Sequence, residues 1–108
     1  MADLNFEKMQ GMQKELQEKY KDKWGGVYPE KGRDMLLWAL IEVGEAADII
    51  KKHGDAGIMA NAELRHDFTE ELCDIFMYLN DVMLCYDITP DELRKIYLEK
   101  FERNMRRW

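Results

Sequence analysis

Apolar residues recur every three or four positions along most of the chain, which is the spacing of one face of an α-helix. Four segments carry this pattern, at about residues 3–20, 33–53, 62–86 and from 89 to near the C-terminus. No run alternates apolar and polar residues long enough for a strand, and no repeat is visible. We therefore predict an all-α fold, in which residues 1–108 form a single bundle-like domain of four helices.

Residues at the ends of these segments predict where the helices begin and end. Asp3 and Thr89 are predicted N-caps, because short polar side chains accept hydrogen bonds from the first free backbone N–H groups. Gly54 follows two lysines and a histidine, which is typical of a helix C-terminus. Residues 21–32 and 55–61 are predicted to be connections, the first because it contains three glycines and a proline.

The second helix carries two apolar faces rather than one. Its carboxylates, Glu42 and Glu45, lie on a stripe with Met35, Trp38 and Ile49, away from the face predicted to pack. Gly44 between them lowers helix propensity, so we expect a neighbouring segment to approach it closely. The predicted primary packing face consists of Leu36, Ala39, Leu40, Val43, Ala47 and Ile50.

Four carboxylates on apolar stripes are the chief candidates for chemistry. Glu42 and Glu45 are three residues apart on the second helix, and Glu71 and Asp74 have the same spacing on the third. Such a set would repel itself without a cation, and its hard oxygen ligands suit Mg²⁺ or Mn²⁺ rather than zinc or copper. A magnesium site of this kind is suited to binding a polyphosphate and to activating water. Asp67 and Asp81 are second choices that would extend the acidic line.

Aromatic and cationic residues accompany the acids on the flanking segments. In the first connection, Trp24 and Tyr28 lie among lysines, an arrangement that could stack a nucleobase and attract phosphates. The alternative is that Trp24 covers one end of the bundle and the lysines are solvated. On the last helix, the possible phosphate donors are Lys100, Asn104 and Arg107, although cations also favour any helix C-terminus.

One competing motif points to a different metal. Glu63 and His66 match the Glu-x-x-His element of di-iron carboxylate bundles. Such sites use two of these elements, whereas this chain supplies one, on another face from Glu71 and Asp74. A di-iron site is therefore disfavoured.

Composition limits the class of partner. The net charge of −6 argues against binding a nucleic acid polymer. No apolar run is long enough for a membrane span, and the first ten residues lack the pattern of a signal peptide, so a cytoplasmic protein is expected. Cys73 and Cys85 lack zinc-site spacing and are expected to be reduced thiols.

The E-x-x-E and E-x-x-D pairs, within LLWALIEVGEAADI and FTEELCDIFMYL, resemble the MazG-like all-α nucleoside triphosphate pyrophosphohydrolases, and most of all the dCTP pyrophosphatase branch. The resemblance spans about residues 24–107. It implies that the four acids bind Mg²⁺ and that water cleaves a nucleoside triphosphate to the monophosphate and pyrophosphate. It also implies a homodimer or homotetramer. The substrate contacts that it suggests are Trp24, Trp38, Tyr78, Lys100, Asn104 and Arg107.

Two alternatives share this helical pattern. Phosphoribosyl-ATP pyrophosphohydrolases carry a similar acidic motif, but they typically have a histidine where Tyr78 stands in this chain. The second alternative is a catalytically silent bundle that only binds nucleotides. The complete set of four acids argues against this alternative. The base and sugar preference stays open at this level.

Overall fold

The computed structural model describes residues 3–108, and every regular element in that range is helical. A 3-10 turn at Pro29–Lys31 leads into the longest helix. The five α-helices of the described residues are α1 (Phe6–Lys19), α2 (Lys21–Trp24), α3 (Gly32–Ala60), α4 (Ala62–Cys85) and α5 (Pro90–Arg107). The prediction of an all-α fold is confirmed, with the short α2 inside a segment that was predicted to be a connection.

Short polar side chains cap three of these helices. Asn5, rather than the predicted Asp3, caps α1 and accepts a hydrogen bond of 2.9 Å from the backbone N–H three residues later. Asn61 does the same for α4, at 3.0 Å. Thr89 caps α5 as predicted, with Pro90 at the first helical position.

Gly54 divides α3 into two helical segments. Its φ of +70° and ψ of 172° interrupt the helical backbone as predicted, but residues 55–60 resume a helix, so the predicted loop is wrong. This backbone conformation is accessible mainly to glycine. The helix ends at Asn61, which also caps α4, so one residue joins the two longest helices.

Helices α3 and α4 form an antiparallel hairpin that contains most of the tertiary packing. The face of α3 that the hairpin buries includes Met35, Ala39 and Ala46. Most of the predicted packing face is instead exposed, with Leu36 at 53% and Leu40 at 63%. The prediction was wrong because α3 is apolar on two faces, and helical periodicity alone does not say which one a neighbour covers.

Two glycines of α3 differ in their surroundings. A Cβ on Gly32 would lie 2.3 Å from the ring of Tyr86, so the end of α4 packs directly on the start of α3. A Cβ on Gly44 would meet nothing within 4 Å, so no described residue makes the close approach that we predicted there.

Helix α5 is the least packed element. Among the described elements it contacts α1 alone. Arg94 of α5 pairs with Glu7 of α1. Just before α5, the Ile88 carbonyl accepts a hydrogen bond of 2.8 Å from Gln10 of α1. Its apolar side chains, among them Phe101 at 55%, are largely exposed. No helix within residues 3–108 has the length and hydropathy needed to cross a membrane.

Candidate metal centre and adjoining cavity

Three carboxylates meet between the two long helices. Glu42 extends from α3, while Glu71 and Asp74 lie on one face of α4 because they are three residues apart. One oxygen from each of the three lies within 4.8 Å of the others. The structure thus brings together three of the four acids that the sequence singled out.

Mutual repulsion and partial burial change the protonation of this cluster. A hydrogen bond with Glu42, burial, and the charges of Glu42 and Asp74 together raise the pKa of Glu71 to about 7. The Glu71 Oε2 atom is buried and has no hydrogen-bond partner among the described residues. Without a cation, the Glu71 carboxyl is therefore partly protonated near neutral pH.

These observations fit a hard divalent cation. Mg²⁺ and Mn²⁺ prefer carboxylate oxygens, and an unpartnered buried oxygen beside two more carboxylates gives such an ion its ligands. A bound cation would also remove the repulsion that raises the pKa of Glu71. Glu42, Glu71 and Asp74 are the residues that could hold it.

Glu45 lies outside this group. It is exposed, one helical turn beyond Glu42, and its carboxylate is not among those that lie within 4.8 Å of one another. Its predicted role as a fourth ligand stays a prediction. Asp67 is exposed and also lies outside the group.

A cavity of about 510 Å³ opens next to the acids, and residues of α1, α2, α3 and α4 line it. Glu42 and Asp74 contribute to its wall, so the carboxylates face this space. Its remaining lining residues are Gln13, Leu16, Gln17, Lys23, Trp24, Lys31, Met35, Trp38, Met77, Tyr78 and Asp81.

Three predicted aromatic contacts line this cavity. Trp38 of α3 packs edge-on against Tyr78 of α4, with ring centroids 6.1 Å apart. Trp24 lies at the end of α2 and packs on Tyr20 at 4.7 Å. Burial, followed by the charges of Glu42 and Asp74, raises the pKa of Tyr78, which keeps its phenol protonated and able to donate.

Two lysines supply positive charge to the same cavity. Lys23 comes from α2 and Lys31 from the turn before α3. The Lys31 ammonium donates to the carbonyls of Trp24 and of Gly26, the latter at 3.0 Å, so it also holds the connection in place. The cations that the sequence placed on this segment are therefore not all solvated.

The predicted donors of α5 lie elsewhere in the single chain. Lys100, Asn104 and Arg107 do not line the cavity, and their helix contacts only α1. The Arg107 guanidinium lies over the ring of Trp108, at 4.9 Å. Their role in binding substrate stays a prediction that one chain does not fulfil by itself.

Asp81 of α4, which also lines the cavity, is buried against α1. Its Oδ1 accepts hydrogen bonds of 2.9 Å from Gln13 and from Gln17. Burial raises the pKa of Asp81, and the two amide donors oppose that shift. Asp81 was only a second choice as a candidate from the sequence, and Gln17 was not predicted to have a role. The available signal was two glutamines one turn apart within the apolar stripe of the first helix.

The di-iron motif gains no support from the structure. The His66 imidazole is exposed and lies 3.5 Å from Glu70 and 3.7 Å from Asp67. In the part of the chain that the structure describes, no group with metal-ligand spacing contains a histidine.

Comparison with protein-family models, curated proteins and solved structures gives no match to this chain. The fold and site define its class in structural terms alone. It is an all-helical protein in which a three-carboxylate cluster opens onto a cavity lined by aromatic residues and lysines.

Proposed function

We propose that this protein is a Mg²⁺-dependent nucleotide pyrophosphohydrolase, which hydrolyses a nucleoside triphosphate to the monophosphate and pyrophosphate. The observation that carries the proposal is the cluster of Glu42, Glu71 and Asp74, in which Glu42 and Asp74 line the cavity. The resemblance of its acid pairs to those of MazG-like enzymes supports the same activity. Mn²⁺ would serve in place of Mg²⁺ with the same ligands.

Each wall of the cavity has a role in this reaction. The carboxylates would hold the cation, which supplies charge neutralisation for the phosphates and lowers the pKa of water. Lys23 and Lys31 attract the polyphosphate, and Tyr78 can donate to it. Trp24 and Trp38 offer ring faces for stacking the base. The reaction consumes one water and releases the monophosphate, pyrophosphate and a proton.

We further propose that two or more copies of the chain associate through the exposed apolar face of α3. This outer face contains Leu36, Leu40, Val43 and Ile50, each at least 42% exposed. A chain of 108 residues buries limited surface by itself, and a helix-long apolar patch is unusual on a monomer. A second copy would present the same patch, which is self-complementary about a twofold axis. A homodimer or homotetramer would also allow α5 of one copy to approach the cavity of another.

The deciding experiment is an assay of pyrophosphate release from a panel of nucleoside triphosphates with Mg²⁺. We expect pyrophosphate and the monophosphate as products, with activity lost in EDTA. Asp74→Asn and Glu42→Gln should each lower kcat/KM by about 100-fold or more, because each removes a charged ligand. Glu63→Gln is the matched control, since it changes an exposed glutamate outside the cluster.

Two results would contradict the proposal. The first is an absence of pyrophosphate release from every nucleotide with Mg²⁺ or Mn²⁺. The second is turnover that survives the Asp74→Asn and Glu42→Gln changes. Metal-dependent binding without turnover would favour the catalytically silent alternative.

A further inference from the structure

The ammonium of Lys31 makes contacts that its charge alone does not explain. It donates hydrogen bonds to the carbonyl of Trp24 and, at 3.0 Å, to the carbonyl of Gly26. Within residues 3–108, no other side chain hydrogen-bonds to the backbone of residues 24–27, and no carboxylate lies within 4.0 Å of this ammonium. Lys31 therefore acts on the backbone of this segment through hydrogen bonds and not as one half of an ion pair.

The segment that Lys31 contacts has little stiffness of its own. Gly25 and Gly26 follow each other in the left-handed region, with φ of +85° and +80°. Glycine reaches this conformation freely, but it also has the greatest conformational freedom to lose when the segment is ordered. Two consecutive glycines after Trp24 therefore leave the position of this residue to be fixed by other contacts.

The backbone of Lys31 is well anchored. Its N–H donates to the Tyr28 carbonyl at 3.0 Å. The next residue, Gly32, begins α3 and lies so close to the ring of Tyr86, at the end of α4, that a Cβ would be 2.3 Å from it. Trp24, in contrast, belongs to α2, which packs on α1 and on no other described helix. Lys31 thus joins Trp24 to the α3–α4 hairpin.

Building on the nucleotide role proposed above, we infer that Lys31 is a positioning residue, which holds Trp24 at the cavity wall before a nucleotide binds. Lys31 and Trp24 both line the cavity, together with Trp38 of the hairpin. Trp24 is 40% exposed, and its one aromatic contact is with Tyr20, so packing confines it only in part. A ring that is already ordered stacks on a base without a further loss of conformational entropy.

Both cavity lysines also bring positive charge, so the experiment must separate positioning from charge. Lys23 lines the same cavity, but its ammonium donates to no described residue. Lys23→Met and Lys31→Met each remove one charge and keep an unbranched side chain. Only Lys31→Met removes the hydrogen bonds to Trp24 and Gly26, which makes Lys23→Met its matched control.

The first measurement is acrylamide quenching of Trp24 fluorescence without any nucleotide. Trp38→Phe and Trp108→Phe together leave Trp24 as the single tryptophan. In this protein, we expect Lys31→Met to raise the quenching constant by about 1.5-fold or more, because the segment opens to solvent more often. Lys23→Met should leave the constant unchanged. An unchanged constant in Lys31→Met overturns the inference.

The second measurement is steady-state kinetics with a nucleoside triphosphate. We expect Lys31→Met to raise KM by about tenfold, the order of one base–aromatic stack. The value of kcat should change by less than about twofold, because stacking stabilises the ground state and the transition state alike. A loss confined to kcat overturns the inference.

A double-mutant cycle with Trp24→Leu tests whether Lys31 acts through the ring. Once the ring is absent, Lys31→Met should raise KM by less than about twofold more, whereas the effect of Lys23→Met should persist in full. An effect of Lys31→Met that is the same with and without Trp24 overturns the inference, because it would show a role of charge alone.

A variant that keeps every charge guards against misfolding of Lys31→Met. Should Lys31→Met lose its helical circular dichroism, Gly26→Pro moves the carbonyl that the ammonium contacts, since proline fixes φ near about −65°. It should raise the quenching constant of Trp24, and an unchanged constant overturns the inference.

Failure of this inference can be distinguished from failure of the proposed function. Turnover with an unchanged quenching constant in Lys31→Met removes only the inference. In a protein without turnover, a raised quenching constant in Lys31→Met, together with weaker nucleoside triphosphate binding by equilibrium dialysis, removes only the function.

Discussion

Glu71 is the residue on which the electrostatics of the acid cluster depend. It hydrogen-bonds to Glu42, lies beside Asp74, and has a pKa raised to about 7. Its neighbours are therefore arranged to disfavour its charge unless a cation is present. The spacing of Glu71 and Asp74 on one helix was readable from the sequence, because three residues span nearly one turn.

The raised pKa of Glu71 predicts a pH-dependent stability. In the folded protein the carboxyl holds its proton more tightly than in the unfolded chain. The contribution of Glu71 to stability is therefore fully present below about pH 4.5 and is lost as pH rises through about 7. In EDTA at pH 8, Glu71→Gln should therefore unfold with a free energy about 1–2 kcal/mol higher than wild type, after allowing for solvent screening. The measurement is urea denaturation of both proteins between pH 5 and pH 8.

Magnesium supplies the control for that prediction. It should stabilise the wild-type protein at pH 8 because it binds the folded state, and it should stabilise Glu71→Gln much less. Equal pH profiles for the two proteins in EDTA would show that Glu71 is not the residue that titrates.

Helix α3 is the element that positions the site, and the backbone of Gly54 changes its direction. The break at Gly54 was predictable from the glycine after a basic helix end, but the helical residues 55–60 were not. Those residues include an aspartate and a second glycine directly after Gly54, so local propensity indicated a loop. In the folded protein, Gly57 lies against Leu64 of α4, and this tertiary contact favours a helix there.

Replacing Gly54 by alanine should destabilise the protein. The backbone there, at φ +70° and ψ 172°, is almost inaccessible to a residue with a Cβ, so we expect a loss of about 1–3 kcal/mol in the free energy of unfolding. Gly11→Ala is the matched control, because Gly11 lies inside α1 with open space around it. That change should be neutral or stabilise by up to about 1 kcal/mol. Equal effects of the two changes would contradict the assignment.

At the scale of the whole molecule, the unusual feature is how much apolar surface one chain leaves exposed. Only a few residues of the α3–α4 hairpin are buried, while the outer face of α3 and the stripe of α5 are open. Association of two or more copies of the chain, as proposed above, would explain two observations. Most residues of the predicted packing face of α3 are exposed in the single chain, and the predicted donors of α5 lie away from the cavity.

A charge on the outer face of α3 should therefore prevent assembly. We expect the wild-type protein to have a mass of two or four times 12.9 kDa by light scattering, and Leu40→Glu to shift it toward the monomer. Burying an unpaired carboxylate in an apolar interface should weaken the association by at least about tenfold. Met59→Glu adds the same charge at a residue that is 74% exposed beyond the Gly54 bend. A wild-type mass of 12.9 kDa would refute the proposed assembly.

The helical class, most of the helix boundaries and the placement of Glu71 and Asp74 on one helix face could be predicted from the sequence alone. These follow from local rules, since periodicity, capping and i to i+3 spacing depend only on neighbouring residues. The three-dimensional packing was needed to show which face of α3 is covered and which three acids meet. It was also needed to show that Gln13 and Gln17 donate to Asp81. Those features depend on how α1, α3 and α4 pack, and contacts between residues more than 60 positions apart leave no local pattern in one sequence.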